Sequence, residues 1–161
     1  MTLYRDATPS DRVFVTATWS SSYKSAHAAG MIPSEDYPAV MHAAIGKLLA
    51  RPGARAIVAY EPPDFLYGFI AGDTSGATPV VWYVYVKGPY RSERRAGGAR
   101  SGPRHARGLF RALGVDPARP FLYACSTPVV AELRQANKIP RGKFVPATAR
   151  YTNYLEQEQS E

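Results

Sequence analysis

Val80-Val81-Trp82-Tyr83-Val84-Tyr85-Val86, then the basic, glycine-rich run Lys87-Gly88-Pro89-Tyr90-Arg91-Ser92-Glu93-Arg94-Arg95-Ala96-Gly97-Gly98-Ala99-Arg100, then Ala106-Arg107-Gly108-Leu109-Phe110-Arg111-Ala112-Leu113-Gly114, is the stretch that decides the fold. The first seven residues are all β-branched or aromatic, which predicts a strand. No polar side chain interrupts them, so the strand should be central, with both faces covered. Residues 106–113 read as a helix that Gly114 ends, and Pro103 suits a first helical turn. Strand, loop, helix is in general terms an anion-binding arrangement, because a helix N-terminus presents unpaired amides.

Working outward, Leu3 to Asp6 reads as a short strand. Pro9-Ser10-Asp11 starts a helix over 13–27, with Ser10 or Asp11 as cap. Gly30 and Pro33 break it. Ser34 can cap a second helix, whose apolar positions Tyr37, Met41, Ala44, Ile45 and Leu48 follow helical spacing. Residues 56–60 and 66–71 predict a hairpin around Pro62-Pro63-Asp64. Downstream, 121–125 is a buried strand, 128–137 a helix with Pro128 in its first turn, and 143–151 a last strand broken by Pro146. The expected order is β, α, α, β, β, β, basic loop, α, β, α, β.

At 161 residues, 45% hydrophobic and 20% charged, the chain fits one globular domain rather than a disordered or disulfide-built one. The expected limits are 1–155, with 88–104 as a loop insertion and 156–161 as a frayed acidic tail. No apolar run approaches the ~20 residues of a membrane helix. The first six residues have no secretory core, and Cys125 is alone, so the expected location is a reducing cytoplasm with no membrane contact. Net charge is +7, and it is concentrated. Residues 87–107 hold seven Lys and Arg against Glu93, a net +6 that leaves +1 elsewhere. That suggests a polyanionic ligand met at one place. Three histidines and one cysteine show no metal spacing, so no metal is expected.

The order and the residues together resemble the GCN5-related N-acetyltransferase (GNAT) superfamily, from Leu3 to Tyr151. Four stretches carry the resemblance: Tyr4-Arg5-Asp6-Ala7-Thr8-Pro9-Ser10-Asp11; Ala56-Ile57-Val58-Ala59-Tyr60 with Leu66-Tyr67-Gly68-Phe69-Ile70-Ala71; Tyr83-Val84-Tyr85-Val86-Lys87 with Pro89-Tyr90-Arg91; and the helix from Ala106 to Gly114. It implies an α/β fold with a mixed, mostly antiparallel sheet flanked by helices. It implies acetyl-CoA or another acyl-CoA as co-substrate. In that family the fourth strand splays from the fifth at a bulge, and the pantetheine arm lies in the gap. Tyr85 and Val86 would then give backbone contacts, with Lys87 at the strand exit, and 123–126 would form the opposite wall. The pyrophosphate motif, Arg/Gln-x-x-Gly-x-Gly/Ala, is displaced here. Arg91 to Ala96 puts Arg94 where a glycine is usual. Arg94-Arg95-Ala96-Gly97-Gly98-Ala99 matches by letter, three residues late. A third register takes the helix start from Ser101-Gly102-Pro103 and matches His105-Ala106-Arg107, with Arg104 beside them; the Gly97-Gly98 register is the expected phosphate loop.

Acyl transfer to an amine needs a neutral amine, a polarised carbonyl and a proton for the departing thiolate. The acid in GNAT enzymes is often a tyrosine on the helix after the fifth strand, and 128–137 has none. Tyr123, Ser126 or Thr127 can replace it, although a core role for Tyr123 is the commoner reading; Tyr83 and Tyr85 read first as sheet packing. Asp73 is either a base or a turn residue. Trp19, Tyr23 and His27, within a polar-aromatic cluster at the end of the first helix, either line an acceptor pocket or close the helix. Cys125 reads as a buried apolar residue. Acyl-CoA-dependent N-acylation is the leading function. The alternatives are a nucleobase-modifying relative akin to the Mom-type DNA-modification proteins of phage, and a non-catalytic binder of nucleic acid or protein through 87–107. Exposed C-terminal strands can also pair two chains into a homodimer.

Overall fold

The computed structural model describes residues 1–26, 35–91 and 104–145. Their six strands form one sheet in sequence order: β1 (Leu3–Asp6), β2 (Ala54–Glu61), β3 (Phe65–Asp73), β4 (Val80–Val86), β5 (Phe121–Tyr123) and β6 (Gly142–Phe144). The first four are antiparallel neighbours, whereas β4–β5 and β5–β6 are parallel. A parallel pair needs a crossover, and α3 (Arg104–Leu113) and α4 (Pro128–Gln135) supply the two. Helices α1 (Asp11–Ala26) and α2 (Tyr37–Leu49) lie between β1 and β2 in the chain. This is the mixed, mostly antiparallel sheet with flanking helices that a GNAT-like fold requires.

Side chains of successive strand residues point to opposite faces, and that sorts the helices. Tyr4, Ala59, Gly68 and Val86 form one row across the sheet, and Gly108 of α3 packs against the Tyr4 phenol. Phe69, one residue on, meets Phe14 of α1 edge-on, and Tyr83 stacks on Trp19 of α1 at 5.1 Å. Helices α1 and α3 therefore cover opposite faces. Ala106, Leu109, Phe110 and Leu113 bury one side of α3, and Arg104, Arg107 and Arg111 stay exposed on the other. Burial of the large apolar side chains, about 1.5–3 kcal/mol each, outweighs the ~1 kcal/mol that Gly108 costs the helix.

Several expectations need correction. Neither Ser10 nor Asp11 caps α1 forward. The Asp11 carboxylate instead reaches back and accepts from the Thr8 amide (2.8 Å) and hydroxyl (2.7 Å), and the Arg5 guanidinium joins it. Strand β5 ends at Tyr123, not at 125, because the chain there leaves β4. Helix α4 stops at Gln135, before Asn137, whose φ of 50° is left-handed. Strand β6 is three residues long, and the rest of the expected last strand, from 146, lies outside the described residues.

Candidate active site

The pairing of β3 with β4 slips once. Ala71 faces Tyr83 but Gly72 faces Val81, so Trp82 has no partner and forms a β-bulge. Sequence puts glycines where β4 comes closest. A Cβ at Gly68 would strike the Tyr85 carbonyl, and one at Gly72 the Val80 carbonyl. Beyond the bulge the Lys87 amide donates to the Tyr67 carbonyl at 2.9 Å. By the antiparallel alternation, Phe69–Tyr85 and Ala71–Tyr83 are then hydrogen-bonded pairs, and the peptide groups of Val84 and Val86 turn towards β5.

Strand β5 does not follow. It pairs only with Val80 and Val81; the Ala124 amide still reaches the Val81 carbonyl at 2.9 Å, and then the strands part. The result is a gap whose β4 wall presents Val84 and Val86. The Val84 carbonyl accepts from the Thr127 hydroxyl at 3.0 Å, and the Val86 carbonyl from Arg91 Nε at 3.1 Å. The backbone positions on the gap are thus Val84 and Val86, not Tyr85 and Val86 as the sequence suggested. Ala124 and Cys125 are buried on the opposite wall, and Ser126 is exposed.

Beside the gap lies a buried group of polar aromatic side chains. Ser22 Oγ donates to the Thr18 carbonyl at 2.5 Å. That uses its one proton, so Tyr83 donates to Ser22 across 2.7 Å. Tyr37 Oη donates to the Ser20 carbonyl at 2.7 Å. Tyr83 is fully buried, and desolvation drives its pKa far upward, with Cys125, Tyr37 and Tyr23 adding to the rise. Burial also raises Tyr37 to about 12 and the Cys125 thiol to about 12, the latter against backbone hydrogen bonding from Val84. All three therefore hold their protons at neutral pH, and Cys125 is no thiolate nucleophile there. Trp19, also fully buried, has an indole N–H without a partner among the described residues. Sequence reasoning placed Trp19 and Tyr23 together, but assigned Tyr83 to packing; only the position of Ser22 on α1 shows its second use.

The other named residues fall in four places. Tyr123 packs with Phe121 and Phe144. Asp73 is the last residue of β3, opposite Val80 at the closed end of the gap, and its carboxylate accepts from the Ser75 amide (2.8 Å) and hydroxyl (2.5 Å). Those bonds lower its pKa and give it the contacts of a turn residue. Lys87 Nζ sits 4.7 Å over the Phe65 ring at the open end, whereas Ala106 is on the buried side of α3 and Arg107 lines a basin on its outer flank. Arg104, at the first position of α3, is exposed. His27, Arg94, Gly97, Gly98 and Ala99 lie outside the described residues. No cluster of three or more His, Cys, Asp or Glu able to hold a metal occurs among the described residues, and no helix among them is long and apolar enough to cross a membrane.

No family model matches the chain, and no curated protein matches it. It is similar to solved acetyltransferases. Ribosomal-protein-alanine N-acetyltransferase from Brucella melitensis biovar Abortus 2308 is 19% identical, with TM-score 0.43 over 71% of this chain and 70% of that one. A Clostridium acetobutylicum protein described as a "predicted acetyltransferase with acetyl-CoA" is 15% identical, with TM-score 0.48 over 90% and 80%. AAC(6')-Iy, in complex with a CoA-S-monomethyl-acetylneamine bisubstrate analogue, is 16% identical, with TM-score 0.44 over 84% and 88%. At such values the neighbours assign no residue a role, and the chemistry rests on this chain's own geometry.

Proposed function

We propose that the chain is a GNAT-superfamily enzyme that moves an acyl group, most simply acetyl, from acyl-CoA to an amine. The observation that carries the reading is the bulge at Trp82 together with the end of β4–β5 pairing after Val81. The two features leave strand-like peptide groups facing a gap in the middle of a sheet. An amide-bearing arm can complete that sheet edge as an added strand would. The Val86 amide is suited to an arm carbonyl. The Val84 amide donates to the Cys125 sulfur and would exchange that weak bond for the thioester oxygen, where an oriented N–H stabilises developing negative charge.

The amine nitrogen forms its bond to the carbonyl carbon, the carbon–sulfur bond breaks, and the thiolate takes a proton. Tyr83 is our candidate for the group that returns it. Its hydroxyl is protonated at neutral pH and is held by Ser22. Trp19, whose N–H has no partner among the described residues, and Tyr23 lie on the α1 side of Tyr83 and are suited to an acceptor. The nucleic-acid alternatives turned on the Arg-rich run, and residues 92–103 of it lie outside the described residues. The test is thiol release from acetyl-CoA against a panel of amines, with Tyr83→Phe beside the parent. Amine-dependent release that falls about 100-fold in Tyr83→Phe supports the reading. A parent protein that neither binds acetyl-CoA nor releases thiol with any amine overturns it.

A further inference from the structure

The positive excess of the described residues falls in one segment of the chain. Residues 104–145 carry eight Arg and Lys against Asp116 and Glu132, while 1–26 and 35–91 together carry eight against seven. Within the first group lies an open basin of about 600 Å³, between the outer flank of α3 and the turn after α4. Arg107, Arg111 and Lys138 line it, with Val115, Asp116 and Pro140.

These three cations make no ion pair among the described residues. The one acid of the basin is occupied elsewhere: Asp116 meets Arg119 at 3.6 Å and accepts from the Ala118 amide at 2.9 Å. Helix ends explain part of the arrangement, since Arg111 sits in the last turn of α3, where a cation offsets the carbonyl dipoles. Each helix end carries only about half a negative charge, however. The ends of α3 and α4 together cannot balance three full cations. Three cations against the single carboxylate of Asp116 leave the concave surface with a positive excess, which favours an anion there.

The basin is not part of the gap. His105, in the first turn of α3, stacks on Tyr67 near Lys87, at the open end of β4. Leu113, the last residue of α3, lies by Gly72, which pairs with Val81 at the closed end. The loop 114–118 therefore sits beyond the far end of a ten-residue helix, ~15 Å from its start.

We propose that this basin is a second binding site, which takes a phosphate group of a phosphate-bearing ligand. A free phosphorylated compound would use the basin alone. A nucleic-acid backbone would also use further cations of 104–145, such as Arg119 and Arg134, and the charge excess of that segment favours that source. The test follows backbone amide NMR shifts of the full chain during titration with inorganic pyrophosphate and, separately, with a short oligo-dT. Amides of 114–118 and of Asn137 and Lys138 should shift with both probes. Affinity should fall about tenfold or more in Arg111→Ser/Lys138→Ser and stay within twofold in Arg12→Ser on α1. Oligo-dT affinity that drops much more steeply than pyrophosphate affinity between about 50 and 200 mM salt identifies the backbone as the source, and equal slopes identify the free compound. Three results would each overturn the proposal: no shift at those amides with either probe, equal weakening by the Arg12 and double variants, or displacement of the probe by saturating acetyl-CoA. The last would assign the basin to the acyl donor. A chain that fails to bind acetyl-CoA but passes this test loses the transferase reading alone.

Discussion

Removing the two partners of the Tyr83–Ser22 hydrogen bond should have unequal costs. In Tyr83→Phe the ring keeps its stack on Trp19 at 5.1 Å, and Ser22 keeps the Thr18 carbonyl at 2.5 Å. One hydrogen bond is lost and nothing is stranded, which costs about 1 kcal/mol. In Ser22→Ala the tyrosine hydroxyl stays behind in a fully buried side chain with its partner gone. Stranding a buried donor costs about 1–3 kcal/mol, and the better helix propensity of alanine returns only about 0.5 kcal/mol. The double variant strands nothing, so it should lie close to Tyr83→Phe alone. Urea unfolding of the four proteins measures the cycle. Near the melting temperature each kcal/mol should also appear as about 2–4 °C for a chain of this size. Additive single costs, or a Ser22→Ala cost no greater than that of Tyr83→Phe, would refute the geometry on which the proton-returning role depends.

Gly108→Ala should destabilise by about 1–3 kcal/mol, despite the gain in helix propensity, because the new methyl meets the Tyr4 phenol; adding Tyr4→Ala should make the glycine change nearly free or stabilising, read by thermal melts. The pH profile of stability should fall at both ends. Asp11, held down to about 2 by Arg5 and Thr8 against the cost of its burial, lets the unfolded chain bind more protons as pH drops from about 4 to 2. Stability is therefore lost there, by about 1–2 kcal/mol after allowance for solvent screening, and Asp11→Asn should flatten that limb. Above its ordinary 9.0 the Cys125 thiol ionises in the unfolded chain but not in the fold, where it is raised to about 12, and buried Tyr37 behaves alike from 10.0. The unfolded state then binds fewer protons, so stability should fall as pH rises through that window. Cys125, with no exposed surface, should react with a thiol reagent at pH 7.5 only at the rate of opening or unfolding, and rapid stoichiometric labelling of the native chain would show that the gap wall is misplaced.

The sequence shows the strands and helices well because each has a local cause. Val80–Val86 is β-branched and aromatic throughout, and the buried face of α2 repeats at Tyr37, Met41, Ile45 and Leu48. The bulge has no such signal. Trp82 looks like its neighbours, and it falls out of pairing only because β3 brings Gly72 opposite Val81. That single offset is why Val84, rather than Tyr85, faces the gap. Tyr83 was legible as a packed ring but not as a hydrogen-bond donor, because Ser22 lies 61 residues away. The turn role of Asp73 was visible beside Gly72 and Thr74, and its carboxylate accepts from the Ser75 amide. The charge reading caught the run 87–107 but not its continuation. The basin joins Arg107 and Arg111 to Lys138 across the whole of β5 and α4, and no window along the chain contains that juxtaposition.

Calorimetric titration with acetyl-CoA, for the parent and for Val86→Pro, tests the central claim most directly. Proline removes the gap-facing amide of Val86 but no β3–β4 hydrogen bond, so the variant should keep its fold, as circular dichroism would verify. The account predicts saturable binding by the parent and about 5- to 10-fold weaker binding by the variant, the worth of one lost hydrogen bond. Equal affinity in a folded variant would contradict the gap as the donor site, and no binding by the parent would contradict the transferase reading itself.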